Sequence, residues 1–111
     1  MEPVWSPTAD KILGVGRLLT DIGVRNWVLS KPEALSALDE LAAAEIGVLG
    51  GDVYEMLQDR MRPTRDNWYC NRQPGETHGA FVARGVTQAR DYVRKYSSDH
   101  AAVFFAIVPE R

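Results

Sequence analysis

The tetrapeptide Ser30-Lys31-Pro32-Glu33, followed by the apolar positions Ala34, Leu35, Leu38 and Leu41, constrains this chain more than any other stretch. It has the form of a capping box, in which the serine oxygen accepts from an amide of the first turn and Glu33 reaches back to the amide of Ser30. Pro32 stands where its missing amide costs nothing. The spacing predicts a helix over about Lys31 to Ala44 with one apolar stripe, and such a stripe has to be covered by a second layer. With 111 residues there is material for one core and not for two, so a single domain over 1–111 is expected.

Other segments supply that layer. Apolar residues Ile12, Val15, Leu18, Leu19 and Ile22 recur at three and four, which predicts a first helix between Ala9 and Ile22, weakened by Gly14 and Gly16 and stopped by Gly23. Val24 to Leu29 leads on to the capping box. Ile46 to Tyr54 reads as a strand with adjacent glycines, Gly50 and Gly51, and Asn67 to Cys70 as a second; the polar stretch Asp59 to Asp66, with Pro63 inside it, is expected to join them as a long loop. After the Pro74-Gly75 turn, Phe81, Gly85, Ala89, Tyr92, Val93 and Tyr96 mark the longest helix. Ala101 to Val108 is an unbroken apolar run, read as a buried strand at the centre of the sheet and ended by Pro109. The expected fold is α+β, in the order α-α-β-β-α-β: a small antiparallel or mixed sheet of about three strands with helices packed on one face.

Cys70 is the only cysteine, so stability has to come from packing, and a reducing compartment suits the chain. Met1 to Asp10 carries Pro3, Trp5 and Pro7 instead of a basic segment followed by an apolar one, and no run approaches the roughly 18 apolar residues of a membrane span. A cytoplasmic protein is expected. Charge is sorted along the chain: from Lys31 to Asp59 acids surround a single base, Lys31, whereas from Arg60 to His100 bases predominate. Folding either interleaves these runs or keeps them apart as two electrical faces.

Residues that carry chemistry do not assemble into a catalytic set in the sequence. His78, His100 and Cys70 lack the paired spacing of a zinc site; Gly14-Val15-Gly16 lacks the rest of a dinucleotide loop, and Gly50-Gly51 has no following lysine and hydroxyl residue to hold phosphates. Cys70 reads as a structural cysteine inside a strand. No metal or other cofactor is expected. The net charge of −2 argues against nucleic-acid binding, which favours a basic surplus. Protein binding suits what remains, because Trp, Tyr and Arg dominate binding hot spots. The hairpin offers Tyr54, Arg65, Trp68 and Tyr69 beside the acids Asp52, Glu55 and Asp59 as candidate partner-binding residues. Trp68 has two readings, a binding anchor or a core ring, while Trp27 reads as core. An enzyme or ligand-binding domain using Asp52, Tyr54 and Glu55 is the alternative.

Gly50-Gly51-Asp52-Val53-Tyr54 after an apolar strand, then Asn67-Trp68-Tyr69-Cys70 and the helix with Ala89-Arg90-Asp91-Tyr92-Val93, resemble the immunity protein 40 family of bacterial polymorphic toxin systems. Upstream Gly23-Val24-Arg25-Asn26-Trp27 and the closing apolar strand extend the likeness over about Ile12 to Val108. The resemblance implies an α+β fold and a non-enzymatic role as the antidote to a cognate toxin protein, held by direct contact. Asp52, Tyr54, Trp68 and Tyr69 are matched motif positions, and the paired glycines are expected to serve the backbone.

Overall fold

The computed structural model describes residues 2–111; Met1, which begins the expected 1–111 domain, lies outside them. In chain order the elements are α1 (Pro7–Leu13), β1 (Arg17–Leu18), a 3-10 turn (Thr20–Ile22), β2 (Trp27–Val28), α2 (Lys31–Ala43), β3 (Val48–Leu57), β4 (Arg60–Tyr69), α3 (His78–Lys95) and β5 (Ala102–Pro109). The fold is α+β as expected, with every strand pairing antiparallel: β1 with β2 in a short ribbon, and β4-β3-β5 in a three-stranded sheet.

The capping box is present in full. Ser30 Oγ accepts from Glu33 N at 3.3 Å, and Glu33 Oε1 accepts from Ser30 N at 2.9 Å. The residue after the cap also ties α2 to α3. Lys31 Nζ donates to Tyr96 O at 2.7 Å and to Arg94 O at 3.2 Å, placing a cation on the carbonyls that α3 leaves unpaired at its C-terminus. Arg90 of α3 pairs with Asp39 of α2. The Arg90–Asp39 pair joins the acidic run to the basic one.

Helices α2 and α3 cover one face of the sheet, where Val53, Trp68, Phe105 and Ile107 meet Leu38, Leu41, Val86 and Val93. A smaller apolar cluster lies on the other face, where Leu19 and Val28 cover Tyr54, Met61 and Ala106. Asn26, 5% exposed, ties that covering ribbon down. Its Oδ1 accepts from Trp27 N at 2.8 Å and Trp5 Nε1 at 3.1 Å, while its Nδ2 donates to Ile107 O at 3.0 Å, so a buried amide is satisfied by three separate segments.

Three expectations are corrected. The first helix ends at Leu13 instead of running to Ile22, because the chain turns at Gly14 and then pairs as β1; a Cβ at Gly16 would lie 2.3 Å from Val28 O, so only glycine admits that approach. Val15, Leu18 and Ile22 are accordingly exposed. The Asp59 to Asp66 loop is instead strand: Gln58 and Asp59, with φ of 51° and 63°, make a tight two-residue turn of the kind that matches strand twist. Last, β3 and not β5 is central. The apolar run of β5 reflects burial on both faces, Phe105 and Ile107 towards the helices and Ala106 towards the ribbon, while its far edge holds Leu29, through two 2.8 Å bonds with Phe105, and the Asn26 amide on Ile107 O.

The outer edge of β4 is unpaired yet blunted. Pro63 removes a donor, and a bulge around Arg65 (φ 76°) separates the Asp52–Asn67 pair from the Tyr54–Pro63 pair. Thr64 Oγ1 fills the gap, donating to Val53 O and accepting from Asp66 N, each at 3.0 Å. Gln88 Nε2 donates to Tyr69 O at 3.0 Å. Replacing Ser30 by alanine removes a cap that positions α2, and a loss of about 1 kcal/mol in urea unfolding at unchanged m-value is expected.

Candidate functional site

The Gly-Gly-Asp-Val-Tyr segment is built around an indole. A Cβ at Gly51 would lie 2.2 Å from Trp68 Cη2, and one at Gly50 would lie 2.2 Å from Trp68 O, so neither position accepts a side chain without displacement. Gly50 also has φ of 151°. The paired glycines therefore serve the backbone, as expected. Trp68, opposite Gly51 in the register, is 6% exposed and stacks on Tyr92 with ring centroids 4.7 Å apart. The ring therefore packs as part of the core. Its Nε1 is, among the described residues, the one buried side-chain polar atom without a hydrogen-bond partner. Trp27 packs half-buried against the main core.

Strand alternation distributes the remaining candidates. Asp52 and Tyr54 share the ribbon-side face of the sheet with Asn67 and Tyr69, and Glu55 shares the helix side with Trp68. Tyr54 lies beneath the ribbon, 7% exposed, and its phenol is pushed up first by burial and then by the Asp52 charge. Beyond the ribbon the sheet is uncovered. There Asp52 is exposed at its surface, although partial burial pushes its carboxyl up, and Tyr69 is 70% exposed.

Glu55 and Arg65 face a different space, a polar cleft of about 580 Å³ between the β4 bulge and the link from α3 to β5, which also holds Arg62, Asp66 and His100. His100 Nε2 is 3.6 Å from Glu55. Asp59, in the hairpin turn, lines a groove of about 530 Å³ with Arg17, Asp21 and Arg60. The candidate residues thus fall in separate places, and Asp52, Tyr54 and Glu55 do not converge on one centre.

No group of three or more His, Cys, Asp or Glu side chains is gathered to hold a metal ion among the described residues, and no described helix is long and apolar enough to cross a membrane. Cys70 is buried, its sulfur accepting from Arg84 Nη1 at 3.1 Å. The same guanidinium grips Glu76 through two bonds of 2.7 and 2.8 Å and donates to Asn71 O at 2.6 Å. Hydrogen bonds from Arg84, then from the Gln73 backbone, hold the Glu76 carboxyl down at about 2. His78 bonds Glu45 O through Nε2 at 2.7 Å.

One feature escapes a reading of the sequence. Between α3 and the edge of β4 runs a groove of about 420 Å³ lined by Trp68, Gln88, Asp91, Tyr92, Lys95 and Tyr96. Tyr92 and Tyr96 stand 5.8 Å apart, and Tyr96 OH donates to Asp66 Oδ2 at 2.6 Å. Tyr92 and Tyr96 are spaced as a helical core stripe, and only β4 turning past them makes that stripe a partly open aromatic wall.

Trp68→Ala should cost about 3–5 kcal/mol of stability, whereas Tyr69→Ala should change it by less than about 0.5 kcal/mol in the same unfolding experiment. Because folding lowers the Glu76 pKa, its stabilising contribution is present above the ordinary value of 4.5 and is lost as pH falls towards about 2. Glu76→Gln should flatten the acid limb of stability across that window.

A family model described as immunity protein 40 matches residues 18–109, from β1 to the end of β5. No curated protein and no solved structure matches the chain.

Proposed function

The chain belongs to the immunity protein 40 family, and from that premise we propose that it binds a cognate bacterial toxin in the cytoplasm and neutralises it by direct protein contact. The observation that carries this reading is the uncovered part of the sheet, where Tyr69 stands 70% exposed on the same face as Asp52. An exposed tyrosine is a large, stiff contact surface with a polar tip, the kind of group on which protein interfaces concentrate their energy.

Asp52 adds direction. It makes no ion pair among the described residues, and partial burial already disfavours its charge. A basic group on the toxin would favour the charged form. The sign follows: the free protein holds the Asp52 proton to higher pH than a fully solvated carboxyl does, the complex releases it, and affinity therefore weakens as pH falls into the carboxylate range. An antidote must outcompete the toxin's own substrate, which calls for nanomolar affinity or better, about −12 kcal/mol.

The test is coexpression with the product of the neighbouring toxin gene, followed by co-elution and calorimetry. The wild-type chain should protect the cell and co-elute; Tyr69→Ala and Asp52→Lys should each remain folded and lose more than about 1 kcal/mol of binding. Asp52→Asn should also remove part of the pH dependence. Absence of both binding and protection by the wild-type chain would refute neutralisation by contact.

A further inference from the structure

The groove between α3 and the outer edge of β4 has the chemistry of a cation receptor. Its wall is aromatic: Trp68 and Tyr92 are stacked at 4.7 Å, and Tyr96 continues the wall 5.8 Å from Tyr92. Aromatic faces carry negative potential and attract a guanidinium or ammonium placed over them. The carboxylates are also well placed. Asp91 lines the groove and is exposed, and Asp66, in the neighbouring cleft, accepts from Tyr96 OH and lies close enough that its charge adds to burial in raising the Tyr92 phenol. Lys95 is the base in the groove's own lining, and Arg62 and Arg65 share the neighbouring cleft with Asp66. Through Gln88 and Asp91 the groove runs on into a shallow channel along α3 floored by Ala80, Ala83 and Thr87, where small side chains let another backbone come close.

Its position links it to the uncovered sheet surface. Gln88 lines the groove and donates to the carbonyl of Tyr69, whose side chain lies on the uncovered face. A partner lying against Tyr69 and Asp52 and passing the edge of β4 arrives over Gln88. We propose that this groove receives an arginine or lysine side chain of the toxin, stacked on the Tyr92–Tyr96 wall and paired with Asp91, with the Asp66 charge behind that wall adding to the attraction. The inference rests on the toxin-binding reading and adds to it a second contact and the chemistry of the toxin segment that fills it.

Two measurements on the full chain separate the failure of this assignment from the failure of that reading. The first needs no toxin: titrate the isolated protein with N-acetyl-arginine amide, and in parallel with N-acetyl-glutamine amide, following the Trp68 indole and the Tyr92 ring by NMR. Saturable shifts with the arginine probe alone, abolished in Asp91→Lys, are expected. The second measures affinity for the purified product of the neighbouring toxin gene. Asp91→Lys should weaken it about tenfold, and Lys95→Glu should tighten it severalfold, both effects shrinking at high salt. Both substitutions are at exposed helix positions, and circular dichroism should show an unchanged fold. If wild-type protein binds the toxin and neither substitution alters affinity, the groove is not the contact, while neutralisation stands. If wild-type protein does not bind the toxin, the neutralisation reading falls and takes the toxin occupant with it; the probe titration then reports separately whether the groove recognises a cation. Equal shifts with both probes would overturn the cation assignment itself.

Discussion

An indole laid across a glycine on the central strand is the contact on which the rest of this structure depends. Trp68 can lie flat over β3 only because Gly51 has no side chain, and from there it stacks on Tyr92 and brings α3 onto the sheet. The interlock is mutual. A larger residue at position 51 would lift the ring, and a smaller one at position 68 would leave a void between strand and helix that the surrounding residues close only in part. Because Trp68 is committed inward, its neighbour Tyr69 is committed outward, so the packing of the core also decides which aromatic residue the surface displays.

The two faces of the sheet are finished differently. Helices close most of one face, leaving the cleft at Glu55, whereas the other is closed only at one end, by a ribbon too short to hold itself. Asn26 fastens that ribbon by satisfying its own amide with the N-terminal segment, β2 and β5 at once. Such a buried polar clip specifies a single arrangement, since any other placement would strand its donors and acceptor without partners. What the ribbon leaves bare is the stretch that carries Asp52 and Tyr69.

Elements whose signals are local can be read in the sequence. The capping box at Ser30 and the periodicity of α3 report interactions within a turn or two of themselves, and both stand where expected. The first helix misleads because its apolar period persists through residues 15–22 while Gly16 answers to a distant carbonyl, that of Val28. The hairpin misleads because its turn is made by Gln58 and Asp59, which adopt positive φ without the usual glycine, and because Pro63 in a strand signals a loop unless the strand is an edge. At the candidate site, the motif residues are visible in the sequence but their faces are not. Tyr54 lies under the ribbon, Trp68 lies in the core, and Glu55 lies across the sheet from Asp52, distinctions that depend on which side the ribbon and helices take.

The blunted edge of β4 has a consequence for how recognition can evolve. With Pro63, the bulge and the Gln88 contact in place, the β4 edge offers another chain no clean row of main-chain groups to zip onto, so recognition along this edge would fall to side chains. Main-chain zippering is nearly indifferent to sequence, but side-chain recognition is not. Were a partner held there, substitutions at a few exposed positions of β4 and α3 would change what is recognised while the scaffold beneath stays the same.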